Sequence, residues 1–211
     1  MNPFIRTDQY NYIKMQTRKL VNGHATAKDV DVIKALQSMV LENIFAMFLE
    51  INEEQSTLLE TITEIRDKEM AEKYLAQLKR YVIPFDVTEQ AIKKLFPKVK
   101  KLAVPPLSGS VLQEISYLSW NDTGANKKYI VARINDKLSG IQGTYTPVNK
   151  KGICALCNGL EEVVMFLAEI KGKEQGTYTK RGNYICSDSL KCNENLTSLQ
   201  KLHEFVEWLN S

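Results

Sequence analysis

Apolar residues recur at helical spacing through the first half of the chain. Tyr10, Ile13, Thr17 and Leu20 are spaced three, four and three, which aligns them in one stripe; Thr7 or Asp8 is expected to cap the start and Gly23 the end. A second, long and largely buried helix is predicted after Thr26-Ala-Lys-Asp29, with Ile33, Leu36, Val40, Ile44 and Met47 on one face. Leu58, Leu59, Ile62 and Ile65 mark a shorter third segment starting around Glu53. Asp67 opens a fourth, in which Ala71, Tyr74, Leu78 and Val82 share a face before Pro84 ends the run. Thr88 begins a last helix through Ile92 and Phe96, which Pro97 interrupts because it lacks an N–H.

Beyond Val104-Pro105-Pro106 the period shortens towards two, and strands are expected over residues 114–120, 129–135, 138–145, 163–169 and 177–186. Asn121-Asp122-Thr123-Gly124 is a hairpin signal. Thr197-Ser-Leu-Gln200 has capping-box spacing and starts a terminal helix with Leu199, Leu202, Val206 and Leu209 as its stripe. On that helix Phe205 falls at the margin of the stripe and Trp208 near the surface. The pattern predicts an α+β protein: an N-terminal antiparallel helical bundle over residues 1–103 and a second, α/β domain over residues 104–211.

Composition narrows the class without choosing a partner. The 211 residues are 44% apolar and 25% charged, which fits a folded globular protein, and the net charge of +3 is far from that of a dedicated nucleic-acid binder. The first residues lack a basic region followed by an apolar run, and no window approaches the ~20 apolar residues of a membrane span. A cytoplasmic protein without membrane contact is expected.

That compartment bears on the four cysteines. Cys154-x-x-Cys157 and Cys186-x5-Cys192 are separated by a stretch long enough for two strands and a turn, and reduced thiols at such spacing point to a metal. One structural zinc ion bound by Cys154, Cys157, Cys186 and Cys192 is predicted, with disulfide or redox pairing the other reading. Lys150, Lys151 and Lys191 lie close in sequence and are expected to offset the negative charge of four thiolates. A catalytic zinc would usually recruit histidine, and the sequence has only His24 and His203; His203, on the terminal helix, reads as a surface residue, with a place near the metal the other reading.

Around these cysteines the chain resembles a known family. Asn121 followed by Asn126-Lys-Lys-Tyr-Ile130, then Lys151-Gly-Ile-Cys-Ala-Leu-Cys157 and Gly182-Asn-Tyr-Ile-Cys-Ser-Asp-Ser-Leu-Lys-Cys-Asn193 are similar to the elongation factor G binding proteins of Gram-positive bacteria, which include the fusidic acid resistance proteins. The likeness continues through Gln9-Tyr-Asn-Tyr-Ile13, Tyr81-Val-Ile-Pro-Phe85 and Phe96-Pro-Lys-Val-Lys-Lys-Leu102, so it spans nearly the whole chain. It implies a treble-clef zinc finger in the second domain, 1:1 binding of elongation factor G through that domain, and release of the factor from the ribosome, with fusidic acid resistance as a consequence. It also implies a contact surface made by the loop before the third cysteine and the last helix: Lys180, Arg181, Tyr184 and Phe205. Ile153 stands where the family has phenylalanine, and Asn183 where it has an acid. Relatives also carry a fibronectin-binding label, which a chain without an export signal does not fit.

Two other function classes make different use of the sequence. An RNA- or ribosome-binding zinc protein would use the cluster Lys93, Lys94, Lys98, Lys100 and Lys101, which also reads as a solvated helix face. An enzyme is not expected: the sequence has no phosphate loop, nucleophile elbow or histidine-rich metal motif.

Overall fold

The computed structural model describes residues 1–171 and 177–210, which divide into two compact units, Met1–Ile83 and Pro84–Ser211.

The first unit is helical, with α1 Thr7–Thr26, α2 Val30–Phe45, α3 Glu53–Glu60 continued by a 3-10 turn Thr61–Glu64, and α4 Lys68–Lys79. Its core joins the predicted faces: Ile13 and Leu20 of α1, Val40 and Ile44 of α2, Leu59 and Ile62, and Leu78 of α4. The α4 start is as expected, with the Asp67 carboxylate accepting from Met70 N–H at 2.9 Å. The third segment starts at Glu53 as expected, capped by Asn52, while the starts of α1 and α2 shift by a few residues. Arg6 is the N-cap of α1, its N–H bonded to Gln9 Oε1 at 2.9 Å, and Asp29 caps α2 by accepting from Asp31 N–H at 2.8 Å. Gly23 does not end α1, which continues to Thr26. Helix α2 is less buried than its periodicity suggested: only Val40 and Ile44 are inside, while Val30, Val32 and Met39 face solvent. The N-terminal segment closes the unit through a parallel bridge between Ile5 and Val82.

The second unit opens with α5 Glu89–Leu95 and the single turn α6 Gly109–Leu112, followed by an antiparallel sheet of β1 Leu118–Asp122, β2 Lys127–Ile134, β3 Lys137–Ile153, β4 Leu160–Lys171 and β5 Tyr178–Cys186. Strand order follows chain order, so each neighbour pair is a hairpin and β1 and β5 are the edges. Two helices complete it, α7 Ser189–Asn195 and α8 Gln200–Asn210.

Around β2 the sheet is covered on both faces, which is why the sequence of that strand is almost continuously apolar, whereas Gln142, Thr144, Lys180 and Tyr184 leave one face of the β3–β5 side exposed. Ile130 and Ala132 pack with Phe166, Leu202, Val206 and Leu209 under α8, while the alternate residues Tyr129 and Val131 pack with Ile92 of α5 and with Phe96, which directly follows it. Gly140 lets α5 approach β3, since a Cβ there would sit 2.7 Å from Leu95 Cβ. Trp120 lies in this second layer, stacked on Tyr129 with ring centroids 5.0 Å apart.

These contacts correct the expected domain limits. The division falls between Ile83 and Pro84, ahead of the 103/104 boundary suggested by the paired prolines. Helical periodicity marks α5 as amphipathic but does not say which apolar surface it covers. That surface is the sheet, and Pro105 and Pro106 lie in a loop inside the second unit.

Candidate metal centre and the surface beside it

Four elements deliver the cysteines. Strand β3 runs past a bulge between Pro147 and Lys151 and ends directly before Cys154. The chain then turns back tightly: Asn158 N–H donates to Cys154 O at 2.9 Å, Cys154 N–H donates to Gly159 O at 3.0 Å, and Asn158 takes a left-handed φ of 60°. Cys157 is carried in this turn. Strand β5 ends on Cys186, and the Asp188 carboxylate, accepting from Leu190 N–H at 2.8 Å, starts α7, which holds Cys192.

The four sulfur atoms lie within 4.8 Å of one another, with Cys154 to Cys192 and Cys157 to Cys186 both at 3.7 Å. A disulfide requires about 2.05 Å. A tetrahedron of thiolates about 2.3 Å from zinc has edges of about 3.8 Å, so the observed spacing fits a metal and not two disulfides. Backbone N–H groups of Leu156 and Cys186 point at Cys154 Sγ at 3.4 and 3.3 Å, and that of Gly159 at Cys157 Sγ at 3.4 Å, which supports negative charge on sulfur. Hydrogen bonds from the other cysteines, Cys157 first, hold the Cys154 thiol far below its usual range, while those with Cys154 push Cys186 and Cys192 up. Four thiolates this close ionise together only if a cation neutralises them. Neither histidine belongs to the cluster.

Two residues around the site carry weight that sequence reasoning did not assign. Asn193, fully buried beside Cys192, accepts at Oδ1 from the N–H groups of Ser116 at 2.7 Å and Tyr117 at 3.2 Å. Its Nδ2 donates to Tyr117 O at 3.0 Å and Ser189 O at 2.9 Å, so one side chain ties the segment before β1 to the metal-bearing helix. Replacing Asn193 by alanine removes the side-chain partner of the Ser116 and Tyr117 N–H groups and of Tyr117 O, and each buried orphan costs about 1–3 kcal/mol. N193A is expected to lower the unfolding free energy of the second unit by about 3 kcal/mol, seen as a lower urea midpoint at unchanged slope.

The other is Lys128, whose Nζ donates to Asn121 Oδ1 at 3.0 Å and to Ser187 O at 3.4 Å. Burial lowers its ammonium pKa below the usual lysine value, and the thiolates of Cys192, Cys186 and Cys154 with the Asp188 carboxylate pull it back. The lysines expected to offset the cluster's charge, Lys150, Lys151 and Lys191, are all exposed, and Lys191 pairs with Glu194 at 3.0 Å. Tyr117 is also buried against the cluster; burial first, then the Cys192 sulfur, pushes its phenol well above the usual range, so it stays a proton donor.

The residues expected to meet a partner form no loop and do not share one face. Lys180, Arg181 and Tyr184 all lie in β5, and strand alternation sends them to opposite sides. Lys180, paired with Glu169 at 3.8 Å, and Tyr184, 41% exposed, are on one face. Arg181 is on the other, donating to Trp208 O at 2.7 Å with its guanidinium 5.9 Å from the Trp208 ring centroid. Phe205 is 6% exposed, in the core against Phe166 and behind Trp208 at centroid distances of 6.2 and 6.1 Å. Its margin position on the helix is therefore filled inward, and the aromatic surface of α8 is Trp208, 42% exposed. Trp208, Phe205, Glu204, Lys201, Asn183 and Ala155 line a shallow groove of about 410 Å³. Ile153 is exposed. The cluster Lys93, Lys94, Lys98, Lys100 and Lys101 faces solvent, with Lys93 paired to Glu89.

Comparison with known proteins agrees with this architecture. Residues 4–86 match the model of the elongation factor G-binding protein N-terminal domain, and residues 93–207 match that of the FBP C-terminal treble-clef zinc finger. Among curated proteins none matches the chain. Among solved structures, that of the fusidic acid resistance protein FusC is similar over 99% of this chain and 98% of its own, at 35% identity and a TM-score of 0.86. No helix among the described residues is long and apolar enough to cross a membrane. With both units matched in order and a resistance protein superposing along nearly its whole length, the chain belongs to the family of elongation factor G-binding proteins.

Proposed function

We propose that this protein is a cytoplasmic binding protein, not an enzyme, whose zinc-bearing second unit docks one-to-one on elongation factor G and promotes release of the factor from the ribosome. The similarity to FusC across 99% of the chain carries this reading. One structural zinc held by Cys154, Cys157, Cys186 and Cys192 keeps the binding surface in shape, and fusidic acid resistance follows where release outpaces the drug's hold.

The contact is assigned to the outer border of β5. Being an edge, that strand presents Lys180 and Tyr184 on one face and Arg181 beside Trp208 on the other to a single partner. Phe205 contributes at second hand, as the support of Trp208. Release requires that the protein bind the free or strained form of the factor more tightly than the ribosome-bound form, because equal affinity shifts no equilibrium.

The test is co-elution with elongation factor G from the same organism, followed by release of the factor from ribosomes with and without fusidic acid. Absence of a complex at micromolar concentration sinks the proposal. Binding to naked ribosomal RNA that falls steeply with salt would favour the RNA reading. Arginine beside an exposed tryptophan is the usual composition of an energetic centre, and losing one such anchor costs about 2 kcal/mol. R181A is therefore expected to weaken the complex by about thirtyfold in a titration.

A further inference from the structure

Lys128 is the only buried lysine or arginine among the described residues, at 2% exposure. An ammonium group in such a place requires an anion or it destabilises the fold, and both of its hydrogen-bond acceptors, Asn121 Oδ1 and Ser187 O, are neutral. Asp188 contributes some field, but it lies at the surface and its carboxylate is used by two N–H groups of α7. What remains on that side is the cysteine cluster. Ser187 directly follows Cys186, and Lys128 shares the sheet face of Ile130 and Ala132, the face on which Cys154, Cys186 and Cys192 are buried. A divalent ion with four thiolates carries a net charge of −2, which is itself costly to bury.

We propose that Lys128 is the built-in countercharge of the tetrathiolate site, so that the burial of each stabilises the other and the affinity of the four cysteines for zinc depends on the positive charge of strand β2. This rests on the reading of the cluster as a zinc site. Lys128 touches no metal; it acts as a positioning residue, holding the Cys186 end of β5 through Ser187 O and bringing a fixed positive charge to the sulfur atoms. Asn121, opposite Lys128 in the β1–β2 register, orients the ammonium.

The test uses the full chain and three variants, with zinc content by elemental analysis and zinc affinity by competition with a chromophoric chelator. K128Q can keep a hydrogen bond without the charge, K128M keeps the bulk alone, and K128R keeps the charge. Loss of a partner outside the ligand set typically costs 10–100-fold in metal affinity. K128Q and K128M are expected to bind zinc about 10–100-fold more weakly, with K128R close to the original protein. If K128Q folds only in excess zinc while K128R does not need it, the same result is read through folding. Unchanged affinity in K128Q, or K128R failing as K128Q does, overturns the proposal, because hydrogen bonding or shape would then suffice. Absence of zinc from the unmodified protein would instead remove the metal reading itself.

Discussion

Replacing Cys154 by serine is expected to abolish cooperative folding of the second unit and with it all measurable binding to elongation factor G, while the first unit stays helical. Cys154 is fully buried, faces Cys192 at 3.7 Å and receives two backbone N–H groups. A serine hydroxyl does not ionise near neutral pH and is a poor ligand for a thiolate-preferring site, so the metal is lost. Structural zinc in comparable small sites contributes about 10–16 kcal/mol at neutral pH. A whole domain is stable by only about 5–15 kcal/mol, so no domain of this size absorbs that loss. The end of β5 and α7 should go first, because Cys186 and Cys192 join them to the β3–β4 turn. Residues 1–83 have their own core, so far-ultraviolet dichroism should keep a helical signal while the sheet contribution falls. A strong chelator should reproduce the effect on the unmodified protein. Retention of both sheet signal and binding by C154S would show that the cluster is ornamental to the fold.

The metal site was legible because ligand spacing is local: two residues between Cys154 and Cys157 and five between Cys186 and Cys192 fix how the thiolates can converge, whatever the rest does. Helix α4 was legible for the same reason, since Asp67 caps it three residues ahead of the N–H it accepts. What was hidden depends on contacts between distant segments. Nothing local singles out Lys128 or Asn193: their partners Asn121, Ser187 and Tyr117 are brought around them only by strand pairing and α7. The same holds for α5, whose apolar stripe fits a bundle or a sheet equally well. The family resemblance placed residues 180–184 in a loop, whereas the period of two over 177–186 predicts the strand that is observed; Lys, Arg, Gly and Asn are poor strand formers, and pairing with β4 overrides that propensity.

That override has a geometric condition at Gly182, and G182A is expected to be the most damaging single substitution outside the ligands. In a strand interior alanine usually gains about 0.5–1 kcal/mol over glycine, so propensity alone predicts mild stabilisation. Here a Cβ would overlap the carbonyl oxygen of Phe166 and sit 2.7 Å from its carbonyl carbon and 2.9 Å from Leu167 Cα. All three are backbone atoms of β4, so no rotamer change relieves them, and β5 must shift or unpair. Overpacking of this kind costs about 1–3 kcal/mol or more. The register Glu169 to Lys180, Ala168 to Arg181, Leu167 to Gly182 and Met165 to Tyr184 places every β5 residue assigned to the partner surface, so a shift misplaces both faces together. Cys186 lies four residues further on, where Ala155 N–H bonds Tyr184 O at 2.8 Å and braces the strand end against the metal turn. G182A should therefore retain zinc but bind elongation factor G at least about a hundredfold more weakly, which is a loss of about 2.7 kcal/mol. Gly124 in the β1–β2 turn is the control: a Cβ there meets only Asp122 Oδ1 at 3.5 Å, an ordinary contact, so G124A should leave stability and binding unchanged. Equal affinity of G182A and G124A would mean that the partner does not read the β5 border, and the contact would have to be sought elsewhere on the second unit.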